Sequence, residues 1–131
     1  MSFGKMPMAN GFLKKKDFKC FKNLNSHFAM TAHILFSKID CINNTTHSKI
    51  LIKKIIRKEI GFKGILISDD ISMKALKFDI IKNALLALTA GCNLALYCAG
   101  KTSEMKKLLE EIPYIDKFTL KKTSEFYKFL S

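Results

Sequence analysis

Short apolar runs alternate with amphipathic stretches along most of this chain. Phe28 to Leu35 is largely apolar and holds β-favouring residues, which predicts a buried strand. The polar stretch from Ser37 to Thr46, with its Asn43-Asn44 pair, predicts a loop. Ser48 is placed to cap a helix running to about Ile60. Leu51, Ile52, Ile55, Ile56 and Ile60 recur there at three-to-four spacing as an apolar stripe. Lys53, Lys54, Arg57 and Lys58 fall largely elsewhere, and Gly61 supplies a stop. Gly64 to Ser68 predicts a second strand that runs into Asp69-Asp70. A helix from near Asp79 to Ala90 should stop at Gly91, and Leu94 to Cys98 predicts a third strand. Thr102 or Ser103 is expected to cap a helix to about Ile112, which Pro113 ends. An amphipathic helix from Thr119 to Leu130 completes the pattern. Residues 1–27 show no clean period and read as an irregular lead-in to a unit spanning 28–131.

Short apolar strands alternating with amphipathic helices mean a parallel sheet covered by helices, that is, an α/β fold. The crossover lengths suit right-handed βαβ units. A small doubly wound sheet and part of a barrel both satisfy this order, and periodicity does not choose between them.

The 131 residues, 48% of them hydrophobic, suffice for one domain and are too few for two. That apolar share argues against a disordered tail. The charge is lopsided, with 23 Lys and Arg against 11 Asp and Glu. Arg57 is the only arginine, and the lysines are scattered apart from Lys14-Lys15-Lys16. Specific phosphate and base recognition favours arginine's planar fork. The charge therefore implies a salt-sensitive, non-specific attraction to polyanions and no dedicated nucleic-acid partner. Cys20, Cys41, Cys92 and Cys98 form no Cys-x-x-Cys pair, and Cys92 and Cys98 sit in apolar surroundings, as reduced core thiols do. His27, His33 and His47 lack zinc-ligand spacing. The expectation is a reducing compartment with no structural metal. The N-terminus has no apolar signal-peptide core. The apolar stretch from Ala84 to Gly100 is short for a membrane span and is interrupted by Gly91 and Asn93.

In parallel α/β folds the reactive groups lie at the carboxyl ends of strands. Thr31-Ala32-His33, Ser68-Asp69-Asp70 and Tyr97-Cys98 occupy such positions. Two adjacent carboxylates after an apolar strand repel one another. One of them can face a pocket while the other takes hydrogen bonds, or both can cap the following turn. A lone strand histidine such as His33 serves as a hydrogen-bonded core group more often than as a catalyst. No Gly-rich phosphate loop and no Gly-x-Ser-x-Gly elbow is present.

Ala29-Met30-Thr31-Ala32-His33-Ile34, Ile60-Gly61-Phe62-Lys63-Gly64 and Ile67-Ser68-Asp69-Asp70-Ile71-Ser72-Met73 resemble bacterial β-N-acetylhexosaminidases of glycoside hydrolase family 3. Arg57-Lys58-Glu59, Lys74-Ala75-Leu76 and Ala90-Gly91-Cys92-Asn93 fit the same family, and the likeness runs from about Asp17 to the end. The resemblance implies a partial (β/α)8 barrel of about three parallel strands, the sixth to eighth, with covering helices. It implies that Asp69 is the nucleophile of a retaining glycosidase, that Asp70 is a supporting group, and that Met73 and His33 lie around or beneath the sugar pocket. The implied substrate is terminal N-acetylglucosamine on cytoplasmic cell-wall fragments, with no cofactor. The family's acid/base is an Asp-x-His pair, and none occurs in this chain; Met1 and Phe3 fall at its two positions. The family's upstream Lys-His motif and sugar-binding arginine are likewise absent. The resemblance therefore implies a chain without its own general acid. The acid would come from a separate chain carrying the preceding strands. The alternative is a non-catalytic remnant, or a module that assembles with itself or with a partner through its sheet edges.

Overall fold

The computed structural model describes residues 16–130. Met1 and Phe3, and most of the expected lead-in, lie outside the described residues. Strand β1 (Phe28–Met30) pairs in parallel with β2 (Ile65–Ile67), with Ala29 opposite Leu66. The pairing extends at both ends, because the Ile65 amide donates to the His27 carbonyl (2.8 Å) and the Thr31 amide to that of Ile67 (2.9 Å). Both strands are shorter than the sequence suggests. After Thr31 the chain leaves the ladder, and the Thr45 amide (2.8 Å) and hydroxyl (3.0 Å) donate to the Ile34 carbonyl.

The expected third strand is corrected to a single parallel bridge between Ile67 and Leu94. Backbone bonds from Asn93 to Leu66 (2.7 Å) and from Ser68 to Leu94 (2.9 Å) hold that segment beside β2. Farther along, side chains replace the ladder. The Leu96 amide donates to the Ser68 hydroxyl (2.9 Å) and the Cys98 amide to an Asp70 carboxylate oxygen (3.1 Å). Cys98 is exposed, which corrects its expected place in a core; Cys92 is buried.

Helix α1 (Leu51–Ile60) is wound with the wide π repeat and ends at Gly61. The Ser48 hydroxyl accepts from the Leu51 amide (3.1 Å) and donates to Asp40 (2.7 Å), so it caps the helix while anchoring the preceding loop. Helix α2 (Ile80–Ala90) is capped by Asp79, which accepts from the Lys82 amide (2.9 Å). It stops at Gly91, whose φ of 122° disfavours a side chain and whose place against Ile52 leaves no room for one. Helix α3 (Thr102–Glu111) begins after Lys101 without a side-chain cap, so neither Thr102 nor Ser103 plays the expected role. Helix α4 spans Lys117–Leu130.

The apolar stripe of α1 is divided between two clusters. Ile52 packs with Leu66, Ala87, Ala90 and Cys92, and Leu51 and Ile55 pack with Phe18. A third cluster joins Ile71 and Leu76 to Ala84 of α2 and Leu108 of α3. Among the described residues the apolar contacts thus gather in three small clusters. A groove of about 530 Å³ runs past Phe21, Met30 and Ile34, beside β1. Another, of about 430 Å³, runs past Leu94 toward Tyr114. No helix among the described residues is long and apolar enough to cross a membrane.

At the amino end of the sheet, Arg57 donates to the carbonyls of Phe62 (3.2 Å) and Gly64 (2.7 Å) and to the Asn93 side chain (2.6 Å). Asn93 also accepts from the Leu66 amide (2.9 Å) and donates to Thr119 of α4 (2.9 Å). This hub ties α1, β2, the Leu94 segment and α4 together.

Candidate active site at the carboxyl end of the sheet

β2 delivers Asp69 and Asp70 two and three residues beyond its end, into the loop that leads to α2. Asn83 of α2 secures that loop by donating to the carbonyls of Ile71 (3.2 Å) and Phe78 (2.8 Å). The two carboxylates have different surroundings. One oxygen of Asp69, Oδ1, accepts from the Asp70 amide (2.9 Å), and Oδ2 accepts no hydrogen bond among the described residues. Asp70 is engaged through both oxygens. Its Oδ1 accepts from the Ser72 amide (2.9 Å), the Ser72 hydroxyl (2.8 Å) and the Cys98 amide (3.1 Å), and its Oδ2 from the same hydroxyl (2.7 Å). Burial pushes the Asp70 carboxyl up, but the bonds from Ser72 and Cys98 outweigh it and hold its pKa below the ordinary value. Asp70 is therefore an anchored anion that ties the β2 loop to the Leu94 segment.

His33 is buried, and both ring nitrogens have partners. Nδ1 lies 2.9 Å from the Thr46 hydroxyl, and Nε2 lies 2.9 Å from the Asp70 carbonyl oxygen. The Met73 amide donates to the same carbonyl (3.2 Å), while the Met73 residue is 44% exposed. The four residues singled out from the sequence, Asp69, Asp70, His33 and Met73, thus converge on one turn. His33 braces that turn from beneath, and its ring presents no unpaired nitrogen to a ligand.

Thr31, Thr46 and Ser72 carry contacts that the sequence pattern does not reveal. The Thr31 hydroxyl accepts from the Asp69 amide (3.2 Å) and lies 2.9 Å from that of Thr46. Thr46 comes from a polar loop 15 residues beyond Thr31, and no periodicity links the two. Burial pushes the Cys92 thiol up to about 12, against the opposing effects of Thr31 and Arg57, so it stays protonated and unreactive near neutrality. Asp69 lines neither of the two grooves. Among the described residues, no group of three or more His, Cys, Asp or Glu is gathered to hold a metal ion.

Residues 3–121 match the family described as the glycosyl hydrolase family 3 N terminal domain. A β-hexosaminidase from Psychromonas ingrahamii is 30% identical over 118 residues, covering 86% of this chain and 33% of that protein. One from Vibrio cholerae serotype O1 is 33% identical over 89 residues, covering 66% of this chain and 26% of that protein. Among solved structures, a glycoside hydrolase family 3 β-N-acetylglucosaminidase from Paenibacillus superposes with a TM-score of 0.74 at 26% identity, over 84% of this chain and 22% of that one. NagZ from Neisseria gonorrhoeae, solved with N-trifluoroacetyl-D-glucosamine, superposes with a TM-score of 0.78 over 93% of this chain and 36% of that one; at 21% identity this likeness bears on the fold. The chain spans about a third or less of the length of these curated relatives. Parallel strands, covering helices and the extent of these matches agree: this chain belongs to glycosyl hydrolase family 3, as a β-hexosaminidase-like portion of that family's barrel-type N-terminal domain.

Proposed function

We propose that this chain is the nucleophile-bearing portion of a retaining β-N-acetylhexosaminidase, acting on terminal N-acetylglucosamine of cell-wall fragments in the cytoplasm. The observation that carries this reading is the contrast between the paired carboxylates: Asp70 is engaged through both oxygens, whereas Asp69, beyond the end of a parallel strand, keeps one oxygen without a hydrogen bond among the described residues. An ionised Asp69 attacks the anomeric carbon as the bond to the leaving oxygen breaks, giving a covalent glycosyl-enzyme. A general acid protonates the leaving oxygen, and its conjugate base then activates the water that releases the sugar. No Asp-x-His pair is present here, so that acid comes from βα units that precede this portion in its relatives. Met73 flanks the sugar, Asp70 and His33 hold the turn, and no cofactor takes part.

The test is hydrolysis of a chromogenic aryl N-acetylglucosaminide. The chain alone should turn it over little, since acid catalysis is worth roughly 10²–10⁴-fold. Supplying the preceding βα units of a β-hexosaminidase should raise the rate, and Asp69→Asn should abolish the gain. Undiminished hydrolysis by the Asp69→Asn protein would refute the assignment.

The two apolar grooves favour a second reading, a non-catalytic module that assembles with itself or with a second polypeptide through these surfaces. A monomer with a cooperative melt and no affinity for the preceding units would count against it.

A further inference from the structure

We infer that Thr46 is a positioning residue for Asp69, acting through a hydrogen-bond relay of fixed direction. This rests on Asp69 being the nucleophile. The direction follows from the partners. The Asp70 carbonyl can only accept, so the His33 Nε2 that faces it at 2.9 Å carries the proton. In the neutral ring Nδ1 then offers only a lone pair, and the Thr46 hydroxyl, 2.9 Å from it and 3.5 Å from the Ala32 carbonyl, gives its proton to the nearer acceptor. With its one proton committed, Thr46 accepts from the Thr31 hydroxyl at 2.9 Å. Thr31, with its own proton committed, accepts from the Asp69 amide at 3.2 Å. The chain of bonds thus runs from the Asp69 amide through Thr31, Thr46 and His33 to the Asp70 carbonyl. It grips the peptide groups on both sides of the pair.

Thr46 is fully buried, and Thr31 and His33 nearly so, so water cannot substitute for a lost member. The relay leaves the carboxylate of Asp69 unengaged by its members and fixes only the backbone from which it projects. A nucleophile needs this arrangement, because a small displacement of the attacking oxygen is expensive in rate.

The test compares Thr46→Val, which keeps the shape and deletes the hydroxyl, with Thr46→Ser, which keeps the hydroxyl. Residue-resolved amide hydrogen exchange on the purified chain is the first readout. In Thr46→Val the Asp69 amide should exchange at least tenfold faster while the Ile55 amide of α1 is unchanged, and Thr46→Ser should restore slow exchange. Equal acceleration at both amides, or a serine variant that behaves like valine, would overturn the inference. Nitrogen NMR of His33 in the unsubstituted chain supplies a measurement that no folding defect can confound. The neutral ring should be protonated at Nε2, and protonation at Nδ1 would refute the relay. In the chain supplied with the preceding units, Thr46→Val should lower kcat about tenfold with KM unchanged. If Asp69→Asn retains full activity there while the exchange results hold, the nucleophile assignment has failed and the relay has not.

Discussion

The two ends of the sheet are built from different materials. At the amino end a guanidinium, an amide side chain and backbone carbonyls form a hub, and Arg57 stacks beside the rings of Phe62 and Phe118 at 5.3 and 5.9 Å. At the carboxyl end, two carboxylates sit on a turn held by hydroxyls and an imidazole, and one of them keeps an oxygen without a hydrogen bond among the described residues. The first arrangement locks four parts of the chain together with charge-assisted bonds. The second satisfies the backbone and leaves a charge available. On the proposed role of Asp69, stability and reactivity occupy opposite ends of the same short strands, the division of labour expected of barrel-type α/β folds.

The comparison can be broken most forcefully at Gly64, which ends the tight passage into β2. A side chain there would collide with the carbonyl oxygens of His27 and Ser26, and the His27 carbonyl is already bonded to the Ile65 amide. Gly64→Ala should cost about 3 kcal/mol, read as a fall in the denaturant midpoint. An unchanged midpoint would mean that the two strands part more easily than their packing implies. Arg57→Met should come next, at about 2 kcal/mol, because it strips a charged donor from two carbonyls and from Asn93. Thermal melts would measure it, and a loss no larger than that of a surface lysine substitution would demote the hub.

Acid sharpens the contrast from the other end. Hydrogen bonds hold Asp70 and Asp40 below their ordinary pKa of 3.8, against the upward push of burial. A carboxyl with a depressed folded pKa contributes stability that is fully present above its unfolded value. That contribution is lost as pH falls below 3.8 through the folded pKa. Asp70→Asn should therefore flatten the acid limb of a stability-versus-pH curve, whereas Arg57→Met should leave its shape unchanged. The smallest effect is expected at Asp69. Asn can still accept from the Asp70 amide, so Asp69→Asn should alter stability by no more than about 0.5 kcal/mol. A large loss would show that this carboxylate serves the fold and not a reaction.

The order of elements was legible along the chain because local rules govern it. The stripe from Leu51 to Ile60, the caps at Ser48 and Asp79 and the stop at Gly91 each depend on residues a few positions apart. The position of Asp69-Asp70 after an apolar run was equally local. The third strand was not legible, because Leu94 to Cys98 has a strand's composition, and only its neighbours show that Ser68 and Asp70 side chains take its amides. The missing cap of α3 has a similar lesson: hydroxyls stood at Thr102 and Ser103, but the chain entered the helix one residue earlier, at Lys101.

The sequence by itself determined which segments become strands and helices and where an acidic pair follows a strand, since propensity and periodicity act over one or two turns. Tertiary structure alone decided which carboxylate is tied down and which is left available, and it alone brought Thr46 beneath the turn. Those outcomes depend on hydrogen bonds between groups 13 to 38 residues apart, and no local pattern encodes them.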